Sequence, residues 1–426
     1  MTSAPSGSDG IARSRLGSGI EVVTERMSQL RSVAVGFWVG TGARDEADAE
    51  SGASHFLEHL LFKGTARRSA LEVAAAVESV GGSMNAFTTH EYTAFYVRVP
   101  DDHLALALDV LSDVVWSPAL RPDELEAERQ VILEEIRMRD DTPDDLVHEL
   151  LAEGLFPGHR LGRPVIGTPE SIRAMSRDQV RALHDVHYRP GNVVVAAAGN
   201  LSHDAVADVV EQLAPGPSGG RPRRDPNPGA GPEPWVLRRQ PTEQAHLALG
   251  LRALPHGDPD RFALSVLNQA LGGGMSSRLF QEVRERRGLA YSVYSYRASY
   301  LETGALVLYA GTAPERAQET VEVLHGELDR LVEAGSLPQI EIDDAKGNLR
   351  GSLALSLETS TSRMHRLGRA VLVEDRARTL DELAAEIDAV TVDDVARVVD
   401  RVLRDAPRCL AAVGPVDDDL AARRAA

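Results

Sequence analysis

Apolar positions recur along this chain at two spacings, and the alternation between them lays out its elements. Ser32 opens SVAVGFWVG and Gln244 opens QAHLALGLRAL, two apolar-rich runs of strand length. EYTAFYVRVP from Glu91 and TGALVLYAGT from Thr303 repeat the strand pattern, and each leads into a long amphipathic helix. A charged helix follows in both places, DELEAERQVILEEIRMR from Asp123 and IEIDDAKGNLRGSLAL from Ile340. Both series close on a helix and a last strand, AMSRDQVRALHDVHYRPGNVVVAAAG and AVTVDDVARVVDRVLRDAPRCLAAVG. The order of element types repeats although few identities do. Between the series lies PGPSGGRPRRDPNPGAGPEP, which has no periodicity and reads as an extended linker. The pattern predicts an α+β chain of two homologous domains, residues 1–214 and 235–426, joined by the linker 215–234. Each is expected to be a mostly antiparallel sheet with helices packed on one face.

Composition narrows the function classes. Of 426 residues, 43% are hydrophobic and 26% charged, which excludes wholesale disorder. No run approaches the ~18–20 apolar residues of a membrane span. The opening MTSAPSGSDG lacks a basic start and an apolar stretch, so it reads as a fraying terminus and not a signal peptide. A net charge of -18 argues against a nucleic-acid partner and favours basic peptides wherever acidic groups line a cavity. The sole cysteine, Cys409, excludes an internal disulfide and a Cys-rich zinc knuckle. It points to a reducing compartment, most simply the bacterial cytoplasm.

The candidate chemistry sits in SGASHFLEHLLFKGT, residues 51–65. Ser51 or Ser54 is placed to cap a helix and Gly64 to end it. His55 and His59, four apart, project from one face with Cβ atoms ~6 Å apart, close enough for two imidazoles to share one metal ion. Glu58 lies beside them. The order H-x-x-E-H is the inverse of the commoner H-E-x-x-H zinc helix.

A catalytic metal needs a third protein ligand and an open position for water. On the helix after Pro122, with Leu125 at zero and ~100° per residue, Val131, Ile132, Leu133 and Ile136 fall in an arc from about -120° to +80°. Glu128 and Glu135 fall inside it, near -60° and -80°, whereas Glu134 points about 180° away. A carboxylate on a buried face is costly unless paired or bound to a metal. Glu135 is therefore the expected third ligand and Glu128 the partner that orients a histidine. A helix edge bearing salt-bridged glutamates is the competing reading.

Taken with GGSMNAFTTHEYTAFY from Gly81, ERQVILEE from Glu128, HYRPGNVVVAAAGN from His187 and LGGGMSSRLFQEVRERRGLAYSVYS from Leu271, the zinc-helix segment resembles the pitrilysin-type metallopeptidases. The resemblance is strongest to the branch of the mitochondrial processing peptidase and its bacterial relatives, and spans roughly residues 15–415. It implies one Zn2+ per chain on His55, His59 and Glu135, Glu58 as the catalytic base, and Glu128 in support. It also implies that the strand Ser83–Thr88 pairs with an extended peptide held by Asn85, Ala86 and Phe87. Arg284 and Tyr291 match the family's arginine and tyrosine, which donate to the carbonyl oxygen as it gains charge. The other histidines, among them His90, His184 and His187, read as structural.

The loop LGGGMSSRLF is short where the family's non-catalytic subunit has a long glycine-rich one, and the same chain keeps the whole zinc helix. The resemblance thus implies a catalytic chain, expected as a homodimer whose active sites are completed in trans by Arg284 and Tyr291. The competing functions are a structural subunit of the same family and a zinc-binding protein that holds peptides without cutting them. The intact motif argues against the first, and whether Glu58 has any turnover to abolish decides the second.

Overall fold

A computed structural model describes residues 10–417 and Leu420. The opening segment, except Gly10, lies outside the described residues. The chain begins with β1 (Ile11–Arg15), β2 (Glu21–Arg26) and β3 (Ser32–Val39), then α1 (Ala53–Leu61) and α2 (Ala70–Glu78). The hairpin β4 (Ser83–Thr88) and β5 (Thr93–Pro100) leads to α3 (Leu104–Trp116), α4 (Pro122–Asp140) and α5 (Pro143–Leu155). The first series ends with α6 (Pro169–Ala174), α7 (Arg177–His187), β6 (Val193–Gly199) and α8 (His203–Leu213).

The second series runs β7 (Trp235–Arg239), β8 (Ala245–Ala253), α9 (Arg261–Gly272), β9 (Ala290–Ser299) and β10 (Gly304–Thr312). It continues through α10 (Ala317–Ala334), α11 (Gln339–Ser356), α12 (Ser360–Glu374) and α13 (Leu380–Asp388) to α14 (Val392–Val398) and β11 (Arg408–Gly414).

Two sheets result, ordered β1-β2-β6-β3-β5-β4 and β7-β11-β8-β10-β9. After the extra edge strand β1, the orders correspond strand for strand. Each has a single parallel pair, β2 with β6 and β7 with β11; the other pairs are antiparallel. The α+β class and the internal repeat are as the periodicity predicts.

The chain does not compact along the linear division. One compact unit comprises the residues up to Ile136 with Pro164–Arg224 and Leu355–Thr379; the other comprises Arg137–Arg163, Asp225–Ala354 and the residues from Leu380 onward. Each half lends a helix to the sheet of the other. In the first unit, Val33, Val35, Phe37 and Val39 of β3 face the layer of α1, α3 and α4. Ala34 and Trp38, on the reverse face, meet Met364, Leu367 and Val371 of α12. In the second unit, Leu249 and Leu251 of β8 face α9 and α10, while Ala248 meets Val147, Leu151 and Leu155 of α5. Where helices on one face are expected, both faces are covered. That is why β3 and β8 are apolar at nearly every position.

Close approach depends on glycine. A Cβ on Gly36 of β3 would lie 2.8 Å from Met364 Sδ, and one on Gly154 of α5 would lie 2.5 Å from Cys409 Sγ.

Candidate metal centre

α1 is a nine-residue helix that buries Phe56, Leu57, Leu60 and Leu61 and turns His55, Glu58 and His59 to a half-buried face. Neither Ser51 nor Ser54 caps it: the N-cap is Gly52, in the left-handed region at φ 90°. Gly64 follows the helix end in a turn at φ 108° that only glycine adopts freely.

α4 buries Leu125, Glu128, Arg129, Ile132, Leu133 and Ile136. Glu134 is exposed, as the wheel predicts, and Glu135 is half-buried beside α1. Val131 is the correction: at the edge of the expected arc, it is 43% exposed.

Three donor atoms converge. His55 Nε2 lies 3.8 Å and His59 Nε2 3.6 Å from Glu135 Oε2. The three ligand atoms all lie within 4.8 Å of one another, and theirs is the one such group among the described residues. Ligands of a tetrahedral ion with ~2.0–2.1 Å bonds sit ~3.3–3.5 Å apart, so each histidine nitrogen lies within a few tenths of an ångström of that spacing from Glu135 Oε2. Burial and the neighbouring His59 push His55 down to about 4, which leaves its imidazole neutral with a lone pair free.

The supporting groups form a chain. Glu128, 5% exposed, accepts from His59 Nδ1 at 3.0 Å and pairs with Lys63 Nζ at 2.7 Å. A carboxylate on Nδ1 fixes the tautomer that presents Nε2 to a metal. Arg129 stacks its guanidinium 5.5 Å from the Phe56 ring and donates to the carbonyls of Ile172 and Met175, pinning α1 against α4.

Glu58 stands next to His59, and Thr88 Oγ1 donates to its Oε2 at 2.5 Å. Burial raises the Glu58 carboxyl; Thr88 and His59 pull it down, and Glu135 pushes it up. Sequence reasoning missed Thr88, which reaches Glu58 from a strand 30 residues further on, and Lys63 and Arg129, which read in sequence as ordinary charged neighbours of His59 and Glu128. The motif around Lys63 is the only local signal for any of them.

β4 is the edge strand of its sheet. Ala86 pairs with Phe95 and Thr88 with Thr93, on the face of α1, whereas Asn85 and Phe87 point to the reverse face. The Phe87 ring lies 5.6 Å from those of Trp38 and His365, and Asn85 is exposed. Of the three expected peptide-holding residues, only Ala86 turns its side chain toward α1.

In the other unit, Arg284 and Tyr291 are together. The guanidinium lies 4.4 Å from the Tyr291 ring and 4.8 Å from that of Phe280, and Nη1 donates to the Tyr291 carbonyl at 3.1 Å. Tyr291 is 77% exposed. His184 is structural as expected, its Nε2 2.9 Å from the Val115 carbonyl.

The H-x-x-E-H order on α1 is the inverzincin motif, and a distal glutamate faces it. The chain belongs to peptidase family M16: residues 21–169 match the insulinase (peptidase family M16) description and residues 174–349 the peptidase M16 inactive domain. It is 43% identical over 423 residues to an uncharacterized zinc protease of Streptomyces coelicolor, covering 97% of this chain and 91% of that one. It is 42% identical over 378 residues to the uncharacterized zinc protease YmxG of Bacillus subtilis, covering 89% and 92%. Among solved structures it is similar to a peptidase M16 inactive domain from Pseudomonas fluorescens, with TM-score 0.88 and 24% identity over 95% of this chain and 98% of that one. A protease from Helicobacter pylori matches with TM-score 0.86 and 24% identity, over 96% and 100%. At that identity the two structures speak for the fold. No helix among the described residues is long and apolar enough to cross a membrane.

Proposed function

We propose that the chain is a zinc-dependent endopeptidase that cuts extended or unfolded peptides. The observation that carries this reading is the convergence of His55, His59 and Glu135, with Glu58 held beside them by Thr88. A zinc ion on those three residues would supply a Lewis acid and a water of lowered pKa. Glu58 takes a proton from water with the oxygen that Thr88 leaves free and passes it to the departing amine. The outer side of β4 offers main-chain groups to an extended peptide, which favours unfolded chains over folded ones. Arg284 and Tyr291 donate to the carbonyl oxygen as it gains charge. We assign them to the partner's active site, in a homodimer whose sites are completed in trans.

The buried, free Cys409 suits the reducing cytoplasm of a bacterium. The net charge of -18 favours basic peptides, a preference that should fade as salt rises.

Zinc content and cleavage of a quenched peptide, measured on wild type and Glu58→Gln, test the reading. Wild type should hold about one zinc per chain. Glu58→Gln should keep the metal and lose turnover by roughly 10²–10⁴-fold. The second reading, a catalytically inactive structural or peptide-binding subunit, draws on the inactive-domain match over residues 174–349. Zinc-loaded wild type without turnover on an unbiased peptide library would favour it.

A further inference from the structure

Glu46 is a buried carboxyl that the proposed reaction leaves unused. It lies in the segment before α1 and is 2% exposed. Its Oε2 accepts the Gly52 N–H at 2.8 Å and its Oε1 the Ser54 N–H at 2.6 Å. These are the N-cap and second amides of α1, and Ser54 immediately precedes His55. A helix of nine residues is too short to persist alone, and this one has no capping side chain of its own. Yet it must hold His55, Glu58 and His59 to within about half an ångström. Glu46 satisfies two of the helix's orphan amides and sits at the positive end of its dipole. Those amides draw the carboxyl toward ionisation, against the burial that pushes it up to about 8.

The segment that carries Glu46 is itself pinned. The Ala43 N–H donates to the Thr89 carbonyl at 3.0 Å and the Arg44 N–H to the His90 carbonyl at 2.9 Å. The Arg44 guanidinium, 4% exposed, pairs with Glu91 at 2.6 Å. Arg224, from the segment expected to be an extended linker, donates to both oxygens of Asp45 at 2.9 and 2.8 Å. One anchored turn therefore serves two groups: Thr88, just before it, holds Glu58, and Glu46, bound to it, holds the start of α1.

We infer that Glu46 is a positioning residue of the metal centre, a cap supplied from outside the helix that fixes α1 so its two histidines meet Glu135. The inference rests on the reading of that site as a zinc centre.

The control is Ser69→Ala. Ser69 caps α2 through a reciprocal pair with Glu72, and α2 carries no ligand. Zinc affinity is read by chelator competition, and amide exchange over residues 52–59 is read on the metal-free protein. Glu46→Ala should weaken zinc about 10–100-fold, the usual effect of losing a group that orients ligands, and should speed exchange in α1. Glu46→Gln keeps one acceptor but turns a donor toward the other amide, so it should lose several-fold and recover part of the alanine loss. Ser69→Ala should lower the melting temperature while leaving zinc affinity at the wild-type value.

Zinc affinity in Glu46→Ala no lower than in Ser69→Ala overturns the inference. If the alanine variant does not fold, wild-type zinc affinity in Glu46→Gln overturns it as well. Failure of wild type itself to bind zinc refutes the metal-centre reading, which keeps the two failures distinct.

Discussion

The two units share one plan, and among the described residues only one of them carries a group that could hold a metal ion. Apart from the edge strand β1 their strand orders correspond, and a helix follows the central strand of each sheet, α1 after β3 and α9 after β8. In the place of α1, α9 reads RFALSVLNQALG, with Ala263, Leu264, Val266, Leu267 and Leu271 in the core and no histidine or carboxylate. In the place of α4, which buries Glu128 and Arg129, α11 buries Ile342 and Ala345 and carries Gly347 and Gly351 on its exposed side. The apolar positions that make the fold persist in both copies, whereas the polar ones that make a site do not. Folding and function draw on different residues of the same element, so one copy can lose the site without losing the frame.

The sharpest way to break this contrast is to remove the polar set from α1. His55→Ala or His59→Ala should abolish zinc binding and activity together, because two ligands hold the ion poorly. Asn268→Ala on α9 should leave both unchanged. Glu135→Gln should weaken zinc at least 10-fold while Glu134→Gln stays near wild type, both read by chelator competition. If Glu134→Gln proves the more damaging, the ligand assignment on α4 is wrong.

A smaller effect tests what the second unit contributes. Arg284→Ala/Tyr291→Phe should lower kcat about 10²–10³-fold without loss of zinc. Mixing that variant with Glu58→Gln and allowing subunits to exchange places an intact Glu58 opposite an intact Arg284 and Tyr291. Half of the dimers are then mixed, each with one complete site of two, so about a quarter of wild-type activity should return. With proven exchange and no recovery, the pair acts within its own chain.

The parts legible in the sequence are those set by local geometry. The i, i+4 spacing of His55 and His59 and the choice of Glu135 over Glu134 follow from 3.6 residues per turn, whatever the helix packs against. The repeat is legible because apolar spacing is local too. The exchange of α5 and α12 between the halves is not, since an amphipathic helix does not specify which sheet covers it. Its trace is apolarity at both parities of β3, SVAVGFWV, and of β8, AHLALGLRA, which signals cover on both faces without naming the helix. Caps show the same limit. Local rules favour Ser51 or Ser54 on α1, whereas the group in place is Glu46, brought there by a turn held on the hairpin at Thr89 and His90.

The exchange itself can be tested through glycine. Gly154 of α5 and Gly36 of β3 sit where the lent helices press close, against Cys409 and Met364. Gly154→Val and Gly36→Val should each destabilise by about 1–3 kcal/mol through overpacking, read as a shift in the urea midpoint. Gly154→Val should leave zinc affinity untouched, because the second unit holds no ligand. Gly351 is the counter-case: nothing lies within 4 Å of a Cβ built there, and the residue is exposed within α11. Gly351→Ala removes the entropy cost of a mid-helix glycine and should stabilise by about 0.5–1 kcal/mol. At this chain length that is a rise of about 0.5–1 °C in melting temperature. If Gly351→Ala destabilises instead, α11 is packed as tightly as α4 and the contrast between the two helices fails. If it stabilises while Gly154→Val does not destabilise, α5 is not bound to the second sheet as closely as its glycine implies.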